Sequence, residues 1–278
     1  MESLFDKNQK LFRTTSLSSI HWHDKEVHAL IKVLVVALLA DSEEDLLLSS
    51  ALSHYSPQQL KGLTRVRYHD ITTSISNPSL LKAETLTIAF PNDVYKPQSF
   101  TFIHDPNNDT KSRYKTLVMA HASSKLTQML LHWMKTQYGV VSSPVVLRPQ
   151  LISSCLDLVI NGLPGDDKTR LGDLEMSFST QTKNTALSTI SLEVENKELQ
   201  KLAELANDGD LLSSIMEFIQ THTSLEVAKL PLNRFSCNFM VMTGDGRLKL
   251  QRGIPTIAPT DVIEFTVWDI IQMIYQTL

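Results

Sequence analysis

The chain has 278 residues and a formal net charge of −4, from 26 Lys plus Arg against 30 Asp plus Glu. Apolar residues make up 42% of it, which is enough for a sizeable core and excludes global disorder. A protein that gripped nucleic acid over most of its surface would be strongly basic, so any DNA contact must be local. The two cysteines, Cys155 and Cys237, exclude a disulfide scaffold or a four-cysteine zinc site and favour a reducing compartment.

No membrane or secretory segment is predicted. The longest apolar stretch covers residues 29–40 and is broken by Lys32, whereas a membrane-spanning helix needs about 18–20 apolar residues. The first residues also lack the basic start and apolar core of a signal peptide. Composition therefore predicts a soluble protein of the cytosol or the nucleus.

The first half of the chain mixes helical and strand periodicity. A strand is predicted over residues 10–20, a buried helix from Asp24 and a short helix after Pro57, a residue type suited to the first helical position. Alternating apolar residues then predict strands at 86–90, 99–102 and 114–121. A helix follows over 124–138, with Gly139 at the position of a left-handed helix end, and another over 149–160.

The second half repeats this grouping. Strands are predicted at 174–178, 190–194 and 235–242, and helices at 197–206 and 211–221. The turn Thr243-Gly244-Asp245-Gly246 predicts a hairpin with a last strand over 247–251, and the tail from Thr260 fits a helix or, through its β-branched residues, a strand. Grouped strands and grouped helices predict an α+β fold, with one broad, mostly antiparallel β-sheet and helices packed on one face. Residues 1–160 and 173–278 form two α+β halves around the loop 161–172, either as separate units or as one continuous unit.

Sites for catalysis, cofactors and metals are not predicted. The stretch 162–169 ends in Lys-Thr like a phosphate-binding loop, but Asp166 and Asp167 stand where glycine is needed and would repel a phosphate. His21 and His23 would share one face of a strand and could hold zinc together with His28, yet no cysteine or carboxylate completes the set. The motifs of nucleophilic elbows and zinc proteases are absent from the sequence.

Two basic clusters remain to be explained. Lys111, Arg113 and Lys115 enter a predicted strand, and Arg247, Lys249 and Arg252 fall in and just after the last hairpin. At a spacing of two, three charges would lie on one side of a strand within about 13 Å. Such a row could follow a phosphate backbone, or it could keep an edge strand soluble.

Two blocks of sequence resemble the centromere protein L family of the inner kinetochore, in particular its fungal branch. The first is Leu-Leu-His-Trp-Met-Lys-Thr-Gln-Tyr-Gly-Val-Val at 130–141, with Pro144 soon after. The second is Leu-Glu-Val-Ala-Lys-Leu-Pro-Leu at 225–232, which leads into the strand that contains Phe235. Thr15 stands where members of the family tend to carry a tryptophan.

The resemblance implies a non-catalytic subunit of the constitutive centromere-associated network in the nucleus. Members pair with the centromere protein N homologue, which reads the centromeric nucleosome, and so help to link it to the kinetochore for chromosome segregation; fungal members can also self-associate. Both contacts are made between sheets, by β-augmentation. We expect the partner to bind the last strand, at Arg247, Leu248, Lys249, Leu250 and Gln251. We expect Lys111, Arg113 and Lys115 to face DNA in the assembled complex.

Two alternatives stay open from sequence. One is an autonomous DNA-binding protein that binds duplex without a partner. The other is a nucleotide- or metal-dependent enzyme, which would use either the 162–169 loop or the pair His21 and His23.

Overall fold

The structure is a computed structural model that describes residues 4–18, 20–40, 56–71, 81–89, 96–107, 113–161, 171–180, 188–205, 211–251 and 260–278. The helices are α1 (Lys25–Ala40), α2 (Pro57–Leu63), α3 (Ser124–Tyr138), α4 (Pro149–Asn161), α5 (Asn196–Leu205), α6 (Leu211–Thr223) and α7 (Thr260–Gln276). The strands are β1 (Lys7–Thr14), β2 (Arg65–Asp70), β3 (Lys82–Ala89), β4 (Gln98–His104), β5 (Thr116–His121), β6 (Ser142–Pro144), β7 (Leu174–Ser179), β8 (Thr189–Val194), β9 (Leu232–Ser236), β10 (Met240–Thr243) and β11 (Arg247–Leu250).

One sheet runs through the described part of both halves. Its order is β2-β3-β4-β5-β1-β11-β10-β9-β7-β8, and the short β6 pairs beside β1. The strand ladders are antiparallel, with one isolated parallel bridge between Phe5 and Leu250. The α+β class and the broad, mostly antiparallel sheet are therefore confirmed.

Helices cover both faces of this sheet. Successive residues of a strand point to opposite faces, and β5 separates two cores in this way. Leu117 and Met119 pack into the core of α4, α6 and α7, whereas Val118 and Ala120 pack into the core of α1 and α3. The expectation that all helices share one face is corrected, because apolar periodicity shows that a helix has a buried side but not which face of the sheet it meets.

Local signals set the bounds of α3, which are those predicted. The Ser123 hydroxyl accepts a hydrogen bond from the Leu126 amide at 3.2 Å, as an N-cap should. Gly139 ends the helix with φ of 66°, a left-handed conformation that costs glycine little. Leu130 and Trp133 lie on the buried side.

The predicted strand 235–242 is wrong, because the chain turns within it. The Cys237 amide donates to the Met240 carbonyl oxygen at 2.9 Å, so β9 and β10 form a hairpin with Val241 opposite Ser236. Cys237 and Phe239 are both buried in the turn. The alternation of apolar residues continues through it, and periodicity alone could not reveal the reversal.

The first strand, β1, connects the two halves. It pairs with β5 along Lys10–Thr14 and, on its other side, with β11 along Lys7–Lys10 and with β6 along Phe12–Thr14. The division at 161–172 stays a prediction. β1 lies in the first half of the sequence, but it pairs with strands of both halves.

The expectation that Arg247, Leu248, Lys249, Leu250 and Gln251 form a free sheet edge is wrong. β11 lies between β1 and β10. Leu248 and Leu250 are buried, while Arg247 is exposed on the opposite face. The physical reason is a contact between the two ends of the chain, since the N-terminal strand occupies the side of β11 that the hairpin alone would leave open.

We predict that Leu248→Pro strongly destabilises the fold. The Leu11 amide donates to the Gly246 oxygen, so the alternation of an antiparallel ladder directs the amide of Leu248 towards Gln9, its neighbour in β1. Proline would remove that donor from the middle of the sheet. Urea denaturation should show a much lower midpoint, whereas Ser191→Pro in the outer strand β8 should lower it only modestly. Equal midpoints for the two variants would mean that β11 is not internal.

Candidate functional site

Arg113 and Lys115 lie just before β5, at the end of the β4–β5 loop. Arg113 is exposed and Lys115 is half-buried. The strand begins only at Thr116, so these side chains are in the loop and not in a row along a strand, as their spacing had suggested. Lys111 lies outside the described residues.

The segment that carries these two charges is held by two neighbouring elements, β1 and α7. The Lys115 amide donates to the Thr14 oxygen of β1 at 2.9 Å. On its other side, the Tyr275 hydroxyl donates to the Lys115 oxygen at 2.9 Å. Between the charges, the Arg13 guanidinium lies 4.4 Å from the centre of the Tyr114 ring, a cation–π distance. The basic segment is therefore presented from a fixed base.

A pocket of about 830 Å³ opens next to this segment, on the face that carries α1 and α3. Trp22 and Phe102 are buried at its floor with ring centres 4.7 Å apart, and Trp22 also stacks on Tyr68 at 5.7 Å. Arg113 and Lys115 belong to its lining. The pocket thus combines an aromatic floor with basic groups at one side.

Lys82, in the lining of the pocket, lies beside two carboxylates. Lys82 Nζ lies 2.7 Å from Glu84 Oε1 and 4.0 Å from Asp70 Oδ2, and the hydrogen bond to Glu84 is the main reason that the pKa of Lys82 is raised. Burial, followed by a hydrogen bond to Glu84, raises the pKa of Tyr68 well above its usual range. Burial also lowers the pKa of His104, against the opposing charge of Glu84. Among the described residues, Arg113 and Lys115 have no ion-pair partner; the lining also carries the carboxylates of Asp24 and Asp105.

The two ends of the sheet differ in character. At one end, β2 exposes Arg65 and Arg67, and such charges protect an edge from pairing. At the other end, β8 pairs with β7 in the described part of the chain, and it carries a single charge, Glu193. The alternation of apolar residues predicted the strand β8, but nothing in the sequence indicated that this strand lies at an edge of the sheet.

The register of β8 shows which of its backbone groups point outwards. The Thr180 amide donates to the Ser188 oxygen at 2.9 Å, which makes these two residues a hydrogen-bonded pair. Hydrogen-bonded and non-hydrogen-bonded pairs alternate along an antiparallel ladder. Ser191, opposite Ser177, is then in a non-hydrogen-bonded pair, and its amide and carbonyl point away from β7. β8 therefore offers main-chain donors and acceptors to a further strand.

The groups of the enzyme alternative do not assemble into a reactive centre in the described part of the chain. His21 and His23 line the pocket, but no three histidine, cysteine, aspartate or glutamate side chains there form a group that could hold a metal ion. Burial raises the pKa of the Cys155 thiol to about 12 and raises that of Cys237, so both thiols stay protonated. The 162–169 loop lies outside the described residues.

In the described part of the chain, none of the helices is both long enough and apolar enough to cross a bilayer.

The family model described as centromere protein L matches residues 6–278, which is nearly the whole chain. No curated protein matches the chain at a significant level.

We predict that His104 makes the fold sensitive to acid. Because burial lowers its pKa in the folded state from 6.5, the unfolded chain takes up this proton first as the pH falls. The stability that neutral His104 preserves is lost as the pH falls through about 6.5 towards the folded-state value. His104→Gln should therefore lose less unfolding free energy than the parent between about pH 7 and pH 5, measured by urea denaturation. A His104→Gln profile identical to that of the parent would contradict the prediction.

Proposed function

We propose, from the premise that this chain belongs to the centromere protein L family, that it is a non-catalytic subunit which binds a partner through a sheet edge and touches DNA through a basic loop. The family is a structural component of the kinetochore and not a known enzyme family. The protein therefore acts at the centromere, in the nucleus, in chromosome segregation and together with other kinetochore subunits.

The proposed partner is the centromere protein N homologue, and the proposed contact is β8. The outward amide and carbonyl of Ser191 support this assignment, because β-augmentation takes its affinity from such main-chain groups. Ile190 and Leu192 are half-buried and would supply side-chain contacts to an added strand. A second copy of this chain would compete for the same edge.

The proposed DNA contact is the basic segment with Arg113 and Lys115, together with Lys111. Its support is a pair of basic side chains that have no ion-pair partner among the described residues, on a segment held by β1 and α7. A net charge of −4 argues against wide DNA binding, so the contact is local and works inside the complex.

We predict that Ser191→Pro abolishes pairing and leaves the chain folded. Proline removes the outward donor of β8 but not a bond of the β7–β8 ladder. Co-purification with the centromere protein N homologue should fail, while the circular dichroism melt shifts only slightly. The matched control is Ser191→Ala, which also loses the hydroxyl contact to Ser177 but keeps the amide, and it should pair normally. A folded Ser191→Pro chain that still pairs would remove β8 as the interface and leave the charged edge β2.

We predict that replacing Lys111, Arg113 and Lys115 with glutamine weakens DNA binding by the complex. Each lost phosphate contact should reduce the slope of log affinity against log salt by about 0.9, so the slope should flatten by about two to three units. Binding of a labelled duplex by fluorescence anisotropy, over a salt series, measures this slope. Neutralising Lys197 and Lys201 on α5 is the control and should leave it unchanged. The DNA proposal is wrong if the triple variant keeps the parent's slope.

A further inference from the structure

We infer that Tyr275, on the last helix, is a positioning residue that ties together the two ends of the β4–β5 loop and so holds Arg113 and Lys115 in place for a polyanion. The inference rests on the proposed DNA contact of that loop.

The Tyr275 hydroxyl meets both ends of the loop at once. It donates to the Lys115 oxygen at 2.9 Å and accepts from the Asp105 amide at 3.2 Å. Asp105 is the first residue after β4, and Lys115 is the last before β5. One hydroxyl therefore bridges the points at which the loop leaves and rejoins the sheet.

The helix that carries this hydroxyl is fixed by its packing. Trp268, Ile271 and Ile274 of α7 are each fully buried, with no exposed surface. They belong to the core shared with β5 and β11. The position of Tyr275 is consequently set by a core to which both halves contribute residues, far along the chain from the loop that it contacts.

The contacts of Tyr275 reduce the conformational entropy that the basic residues lose on binding DNA. Charged residues next to a fixed point of the backbone lose little conformational freedom when they meet a phosphate backbone, and the smaller entropy loss gives higher affinity. The number of phosphates contacted depends only on the charges present. Loss of the tie should therefore reduce affinity and leave the salt dependence unchanged, in contrast to the loss of a charge.

The test is Tyr275→Phe, which keeps the ring and removes only the hydroxyl. Hydrogen–deuterium exchange on the full chain should be about tenfold faster in peptides that contain Asp105 and Lys115. In the complex with its partner, affinity for duplex DNA should fall about three- to tenfold with the parent's salt slope. Thr277→Val, directly after the same helix, is the control, because the Thr277 hydroxyl donates to the Ile274 oxygen of that helix at 2.7 Å and not to the loop.

The outcomes separate this inference from the DNA proposal. If the triple glutamine variant binds DNA like the parent, the DNA proposal fails, and exchange in the loop still decides whether Tyr275 ties it. If that variant loses DNA binding while Tyr275→Phe binds like the parent, the positioning role is overturned. Unchanged exchange at Asp105 and Lys115 would overturn it as well.

Discussion

The fold depends on the hydrogen bonds of one strand, β1. Its two sides join β5 to β11 and β6, and without it two half-sheets would each present an unpaired edge, which folded proteins avoid. The change of partner happens at Leu11, whose amide donates to the Gly246 oxygen and whose carbonyl accepts from Val145. Gly246 has φ of 78°, and a Cβ there would lie 2.1 Å from the Val145 oxygen. Glycine is thus required where the hairpin turn meets the end of β6.

The same strand builds the candidate site. The Thr14 carbonyl oxygen accepts a hydrogen bond from the Lys115 amide. The Arg13 guanidinium lies over the Tyr114 ring, and its Nε donates to the Ser143 hydroxyl at 2.8 Å. The segment that follows β1 supplies Trp22 to the floor of the pocket. The strand that joins the two half-sheets therefore also places the basic segment. A change that weakens the pairing of β1 would disturb the sheet and the basic segment together.

Sequence reasoning succeeded where the determinant was local. The bounds of α3 followed from an apolar face and from Gly139, and the strands of the β3–β5 meander followed from alternation. It failed where the determinant lay far along the chain. Nothing in residues 247–251 shows that Gln9 will stand opposite Leu248, so the internal strand looked like an edge. Charge alone identified Arg113 and Lys115. No sequence pattern predicts Tyr275, because its role depends on one hydroxyl group that a core far along the chain brings to the loop.

The positions of the two proposed contacts allow them to be made at the same time. The basic loop leads into β5, and β8 lies six strands further along the sheet order. At about 4.8 Å between neighbouring strands, the two are separated by roughly 30 Å. That distance is several times the Debye length of about 8 Å at physiological salt, so charge on DNA at the loop would have little effect on a strand added at β8. A partner at the edge would then leave the loop accessible to DNA within the same complex, which suits a subunit of a larger assembly.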